Sequence, residues 1–302
     1  MKRLALLLAA CLVLVGCAKK AEPAEQAKQH EQPQKAAQPA EMRIVSVGGA
    51  VTEIVFELGL GAQVVGVDTS SLHPADAIGS LPKVGYQRQL ATEGILSLRP
   101  TVVLATAEAG PPPVLEQLRA AGVRVEMVPE ATSVEQAKEK VRTVARAVGR
   151  AEEGEKLADR IEKEVEAVRA KWKDVTSRPR VLPIYARGPN QVLIFGRDTA
   201  AHAMLELVYA ENAAAAVEGA KPLTPEAVVQ AAPEVILVPS RGLASTGDVE
   251  GLLQVPGIAA TPAGQSKRIV SMDDLLLLGF GPRLGEAVSR LGELLHASQD
   301  AP

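Results

Sequence analysis

Few residues in this 302-residue chain are equipped for chemistry. Its two cysteines, Cys11 and Cys17, both fall near the N-terminus, so neither a disulfide framework nor a thiolate metal site is available further on. His73, His202 and His296 show no catalytic spacing, and His30 lies in a polar stretch where no role is expected. No nucleophile motif or zinc pattern is present. Gly48-Gly49 matches neither the dinucleotide fingerprint nor the P-loop and reads as a turn. Tyrosine remains. With three Phe, three Tyr and one Trp in the whole chain, each Tyr is a rare event. Tyr86 stands in Leu81-Pro82-Lys83-Val84-Gly85-Tyr86-Gln87-Arg88-Gln89-Leu90, a Pro/Gly-marked loop of the sort that carries binding residues. A tyrosine in a loop is ordinarily a surface hydrogen-bonder. Ionised, it is an anionic oxygen donor well matched to ferric iron. An unperturbed phenol ionises at about pH 10, so ligation at neutral pH needs a metal ion, a neighbouring cation, or both. Arg88, two residues on, can act as that cation if the loop is extended. Tyr185 and Tyr209 read as packing residues.

The elements that position these groups follow from pattern. Hydrophobic residues make up 47% and charged residues 23%, which places the bulk of the chain among globular proteins. The scarcity of aromatics means cores of Ala, Val, Leu and Ile. A formal charge of −3 leaves no basic footprint for nucleic acid.

Residues 1–17 read as an address. Lys2 and Arg3 precede an apolar stretch from Leu4 to Val15, the length of a signal-peptide core and short for a membrane span. It ends in Leu14-Val15-Gly16-Cys17, which resembles the lipobox of bacterial lipoproteins and makes Cys17 the expected lipidation site. Several acyl chains would anchor the protein to a membrane surface. The alternative is an ordinary secretory signal that happens to contain a cysteine. Residues 18–41 are rich in Ala, Gln, Glu, Lys and Pro and read as a disordered tether.

Two lobes follow, expected at residues 42–149 and 177–302, with a bridging helix at 150–176. Arg43 to Val47, Thr52 to Leu58 and Val64 to Val67 read as strand, helix and strand, a βαβ unit with a parallel sheet. Leu90-Ala91-Thr92-Glu93-Gly94-Ile95-Leu96, Pro100 and Val102-Val103-Leu104 recur at one constant offset. The second copy is Leu223-Thr224-Pro225-Glu226-Ala227-Val228-Val229, Pro233 and Val235-Ile236-Leu237. Each copy predicts a capped helix, a proline break and a buried strand. A long helix from about Ala151 to Val175 carries Leu157, Ile161, Val165 and Val168 on one stripe. A coiled coil is the alternative, but the stripe is short. A strand near Gln191 to Phe195 and a helix from Gly285 to His296 complete the second lobe.

Two α/β lobes, one long connecting helix and a lipoprotein-type signal together resemble the binding proteins of ABC importers with a rigid helical backbone. Their fold is two lobes, each with a central mostly parallel sheet, joined by a single long helix. Within that group the chain is similar to the haemin-binding branch over about residues 42–296. The Tyr86 segment carries the resemblance, with Glu93-Gly94 and Ser97-Leu98-Arg99-Pro100. Gly196-Arg197-Asp198-Thr199-Ala200-Ala201, Lys221-Pro222-Leu223-Thr224, Arg241-Gly242-Leu243 and Leu278-Gly279-Phe280-Gly281-Pro282-Arg283 support it. The resemblance implies a non-enzymatic, extracytoplasmic component, periplasmic or at the cell surface. It would capture ferric haem in the inter-lobe cleft and deliver it to a permease–ATPase complex.

Carried over, Tyr86 is the axial ligand of the haem iron, a role tyrosine is known to fill, with Arg88 assisting. The haem propionates call for Arg, Lys or backbone donors. Arg241, expected in a small-residue loop after a strand at Val235 to Val238, is the first candidate; Lys83 and Arg283 are the others. Some relatives hold two stacked haems, with a histidine just after the first strand of the second lobe. Here that region reads Tyr185-Ala186-Arg187-Gly188, so one haem is expected. His202 is an alternative ligand, though a lone helix histidine more often caps or packs. Glu93 and Glu226 correspond to the glutamates that dock onto permease arginines, and as first-turn acids they also complement the helix dipole.

Three rivals are weaker. A haem enzyme would need distal acid–base residues that are not found. A zinc or manganese site needs several converging imidazoles or carboxylates. Binding of an iron-siderophore or cobalamin shares the fold and is the runner-up, although a cobalamin site has no need of an anionic tyrosine.

Overall fold

The computed structural model describes residues 41–296. The signal segment with Cys17, and the tether up to residue 40, lie outside the described residues. In the first lobe β1 (Ile44–Val47), α1 (Gly49–Glu57), β2 (Val64–Val67), α2 (Ala75–Ile78), β3 (Gly85–Tyr86) and β4 (Gln89–Leu90) come first. α3 (Thr92–Ser97), β5 (Val102–Thr106), α4 (Pro112–Ala120), β6 (Arg124–Val128) and α5 (Val134–Ala147) follow. Strands β2-β1-β5-β6 form a parallel sheet in that order. Helical crossovers are what allow parallel neighbours. The two central strands, β1 and β5, are buried at every residue, which explains why they are apolar apart from Ser46 and Thr106.

The bridge is α6 (Ala151–Trp172), about 33 Å long at 1.5 Å per residue. Gly154, Leu157, Ala158, Ile161 and Val165 form its buried stripe, at helical spacing. The helix stops three residues before the expected Val175.

The second lobe contains β7 (Arg180–Ala186), β8 (Val192–Phe195), α7 (Ala200–Leu207), β9 (Glu211–Asn212), β10 (Ala220–Pro222), α8 (Pro225–Ala231) and β11 (Val235–Pro239). It ends with α9 (Ser240–Thr246), α10 (Asp248–Leu253), α11 (Pro262–Gln265), β12 (Ile269–Met272), α12 (Asp274–Leu278) and α13 (Leu284–His296). Its sheet runs β10-β8-β7-β11-β12, with β9 beside β7. β7, β11 and β12 are parallel, whereas β8 and β10 are antiparallel additions at one edge. The internal repeat maps onto α3–β5 and α8–β11. Both strands are central in their sheets, so β1-β5-β6 and β7-β11-β12 are matching triples. In the second copy the Thr224 hydroxyl accepts the Ala227 N–H at 3.2 Å and Pro225 opens the helix, a standard helix start.

One buried apolar cluster joins everything. It includes Ile44, Val102 and Val141 of the first lobe, Leu157, Ile161 and Val165 of α6, and Val181, Val235 and Leu291 of the second. Each sheet packs its other face into a smaller cluster of its own. The close approach of α6 to α5 depends on Gly154, where an added Cβ would meet the Ala145 Cβ at 2.3 Å. Gly154→Val is expected to lower stability by about 2 kcal/mol through overpacking. An unchanged urea midpoint would show that the two helices can separate without penalty.

Candidate ligand-binding cleft

Tyr86 is held by a hairpin, and the hairpin is held by a buried carboxylate. Asp68, at the end of β2, is fully buried. Its Oδ1 accepts the Gly48 N–H at 2.9 Å and the Ser71 hydroxyl at 2.7 Å. Its Oδ2 accepts the Ser70 N–H at 2.8 Å and the Ser70 hydroxyl at 2.5 Å. Four donors satisfy the charge, as burial requires. The Ser70 hydroxyl oxygen also lies 3.1 Å from the Gln87 side-chain oxygen, next to Tyr86. The β3–β4 hairpin is further tied down by the Thr69 N–H to Gly85 O bond and the Gly110 N–H to Gln87 O bond, both 2.9 Å. Gly85 takes φ +101°, and a Cβ there would lie 2.8 Å from the Gln89 carbonyl oxygen. Gly85→Ala is therefore expected to shift the tyrosine and weaken ligand binding about tenfold, roughly 1.4 kcal/mol, and to lower the melting temperature of the apo-protein as well, since the added Cβ is strained at this φ. Unchanged affinity would show that the hairpin need not be this tight.

Tyr86 and Arg88 face a cavity of about 570 Å³ lined by both lobes. Tyr185, Arg187, Phe195 and Arg241 line it from the second lobe. An adjoining cavity of about 630 Å³ shares Arg88, Tyr185, Arg187 and Leu193 with it. Volumes of this order suit a small organic ligand. Three arginines and two phenols thus meet across one gap.

The arginines differ in how they are engaged. Arg88 pairs with Glu108. That hydrogen bond is the chief reason its guanidinium sits above its ordinary pKa, with a smaller contribution from Tyr86. Arg187 stacks on the Tyr185 ring, with Cζ 5.4 Å from the ring centre. Its Nε donates to Tyr185 Oη at 3.3 Å, and its Nη2 lies 3.5 Å from Tyr86 Oη, at the long limit of hydrogen bonding. The Tyr185 bond is the main cause of its raised pKa. Arg241 makes no ion pair within 4.0 Å among the described residues; its backbone N–H donates to Asp274 Oδ1 at 3.0 Å. At the rear of the cavity the buried Lys140 ammonium donates to the Gly279 carbonyl at 3.0 Å, linking α5 to the end of α12. Burial pushes its pKa down against the pull of Glu130, 3.7 Å away.

Several expectations need correction. Arg241 sits in the first turn of α9, where a loop was expected, because helix resumes directly after Pro239. Lys83 does not line the cleft: its ammonium turns to the Ile78 carbonyl at 3.2 Å. Arg283 is committed elsewhere too, in an ion pair with the buried Glu53 of α1, with Nε 3.1 Å from Oε1. That pair borders a separate cavity of about 250 Å³. Tyr185 is not merely a packing residue, since it lines both cleft cavities. A tyrosine ending a buried strand, with Arg187 two positions on, was the available sign. The same Tyr-x-Arg spacing marks Tyr86 and Arg88. The Asp68 network had no sequence signal, because its partners are spread from Gly48 to Gln87.

Other residues fall where expected. Tyr209 packs under Arg169 and Arg178, with Cζ atoms 5.5 and 5.9 Å from its ring centre. His202 pairs through Nδ1 with the Asn212 amide at 3.2 Å, away from the residues lining the cleft. Glu93 and Glu226 are exposed in the first turns of α3 and α8. Among the described residues no three His, Cys, Asp or Glu side chains are placed to hold a metal ion.

Two α/β lobes closing on one cleft, with a stiff helix along the side, define a solute-binding protein of the kind that serves a membrane importer. The chain belongs to the family described as periplasmic binding protein, whose model matches residues 44–276. The periplasmic heme-binding protein RhuT from Roseiflexus sp. RS-1, in apo form, superposes with a TM-score of 0.83. It is 45% identical, over 85% of this chain and 99% of that one. The periplasmic heme-binding protein BhuT, solved with two hemes, gives 0.79 at 43% identity, over 84% and 97% of the two chains. The ABC transporter substrate-binding lipoprotein YvrC of Bacillus subtilis is 28% identical over 84% of this chain and 80% of its own length. A vitamin B12-binding protein of Vibrio parahaemolyticus is 29% identical over 45% of this chain and 49% of its own.

Proposed function

We propose that the protein is the haem-binding component of an ABC-type importer, taking ferric haem in the inter-lobe cleft and passing it to a permease–ATPase complex. The observation that carries this reading is the placement of the Tyr86 phenol, on a braced hairpin, in a gap between lobes that also presents three guanidinium groups, Arg88, Arg187 and Arg241. Haem asks for that combination: an anionic oxygen for ferric iron and cations for two propionates. Likeness over nearly the whole described chain to two heme-binding proteins supports it.

Tyr86 binds iron, and Arg241 and Arg88 receive propionates. The Arg88–Glu108 pair is half exposed, so breaking it costs less than about 1 kcal/mol. The protein captures and releases its cargo without chemical change, and is not an enzyme. Glu93 and Glu226 dock onto the permease, one from each lobe. Cys17 carries lipid that holds the mature chain at the membrane; no described helix is long and apolar enough to cross one. Residues 42–149 and 177–302 act as the two lobes, with 150–176 as their brace.

The test is a titration of the apo-protein with ferric haem, and separately with cobalamin, read by visible absorption. A tyrosinate-type ferric spectrum, changed in Tyr86→Phe, supports the proposal. Saturable cobalamin binding with no response to haem would move the assignment to the runner-up.

A further inference from the structure

The Arg88 guanidinium faces the cleft already carrying a carboxylate, that of Glu108. Glu108 sits in the turn that follows β5, and Arg88 sits at the tip of the β3–β4 hairpin. Backbone bonds stitch the two turns together on either side of the pair. The Gly110 N–H donates to the Gln87 carbonyl, and the Leu90 N–H donates to the Gly110 carbonyl, both at 2.9 Å. The fold therefore builds this meeting; it is not a chance encounter of two long surface side chains. Three acids line the cavity: Glu108, Glu130 and Asp274. Glu130 accepts from the Thr106 hydroxyl and lies 3.7 Å from Lys140, while Asp274 accepts the Arg241 backbone N–H at 3.0 Å. Among the described residues, Glu108 alone of the three forms an ion pair with a cleft arginine. The side chains of Arg88 and Glu108 are 50% and 46% exposed, so water screens the pair and it is open to exchange.

We propose that Glu108 is an internal stand-in for the cargo's carboxylate, holding the Arg88 guanidinium while the cleft is empty and limiting how tightly carboxylate-bearing ligands are held. This rests on haem being the cargo and on Arg88 receiving a propionate. On binding, the guanidinium exchanges one carboxylate for another. Glu108 turns to solvent, and no proton moves and no covalent bond changes. A competitor attached to the same chain acts at an effective concentration of about millimolar. A small free carboxylate below that level loses to it. A carboxylate on a ligand already gripped through iron and apolar contact wins. The displaced Glu108 then remains beside the incoming group as a like charge, which lowers affinity for the loaded cargo and favours its release. Selectivity in this cleft thus includes a repulsive element as well as attractive ones.

Wild type, Glu108→Gln, Arg88→Met and the double variant are titrated with ferric haem and, separately, with its dimethyl ester, which has no free carboxylate. Glu108→Gln is expected to tighten ferric haem about fivefold, a gain that a misfolded variant could not give. The dimethyl ester should respond to the same substitution by less than about twofold. In the Arg88→Met background, Glu108→Gln should also change haem affinity by less than about twofold. Unchanged or weaker haem binding by Glu108→Gln overturns the stand-in role. So does an equal gain for the dimethyl ester, or a gain that survives Arg88→Met; in each case the cargo assignment holds. If wild type does not bind ferric haem at all, the cargo assignment itself falls.

Discussion

Tyr86→Phe is expected to weaken ferric-haem binding about 100-fold, close to 2.7 kcal/mol, with a loss of tyrosinate absorption and no change in the apo-protein's unfolding midpoint. The size follows from what is removed. The substitution deletes one oxygen and leaves the half-buried ring, so packing survives and only the proposed bond to iron is removed. The loss is bounded, because the arginines that line the cleft, Arg88, Arg187 and Arg241, remain in place. The hairpin should keep its shape, since its anchors are Asp68, Ser70 and Gln87, not the phenol. Equilibrium titration against a haem competitor measures the effect directly. A change smaller than threefold would mean that the iron is bound elsewhere.

The second large effect concerns stability. Glu53 is 4% exposed and accepts from Arg283, tying α1 of the first lobe to the start of α13 in the second. Burial pushes the Glu53 carboxyl above its usual pKa; Arg283, and more weakly His73, oppose the shift, while Asp273 adds to it. Glu53→Ala leaves a partly buried guanidinium whose remaining ion-pair partner among the described residues is Glu286, 3.9 Å away, with Asp273 as a weaker neighbour. Breaking a buried pair from one side costs 3–5 kcal/mol, and the residual exposure of Arg283 puts this case at about 3 kcal/mol. Arg283→Met does the reverse and leaves the carboxyl without its cation, which raises its pKa further. A raised folded-state value means stability that is full below the ordinary carboxylate range and is lost as pH rises through the folded-state value. Arg283→Met is therefore expected to lie nearest the wild type at about pH 4.5 and to fall behind it steadily toward neutrality. Chemical unfolding at a series of pH values would show this slope, and a flat difference would mean that Glu53 is not the responding group.

How much of this could be read from residue order depends on the range of the interaction. Local signals served well. The glycine-bounded apolar runs located β1, α1 and β2, and the duplicated Leu-x-x-Glu segment located α3–β5 and α8–β11. The Leu157, Ile161 and Val165 stripe located the bridge. Tyr86 was legible because its neighbours, from Leu81 to Leu90, form one contiguous motif. Tyr185 was passed over because its significance lies in what faces it, a residue 99 positions earlier. Lys83 and Arg283 were expected in the cleft on charge alone. Their true partners, the Ile78 carbonyl and Glu53, are fixed by chain direction at a helix end and by burial across lobes. The Gln191 to Phe195 run located β8, but nothing in the pattern announced β10 or the antiparallel pairing at that edge, because alternation is weak in strands this short.

The uninterrupted apolar cluster that runs through the bridging helix also bears on how the molecule comes apart. Neither half owns a complete interior: severing the chain near Gly149 would strand the Leu157–Val165 face and the surfaces that enclose it. Melting should accordingly be a single cooperative event, and neither fragment made alone should fold until its counterpart is supplied.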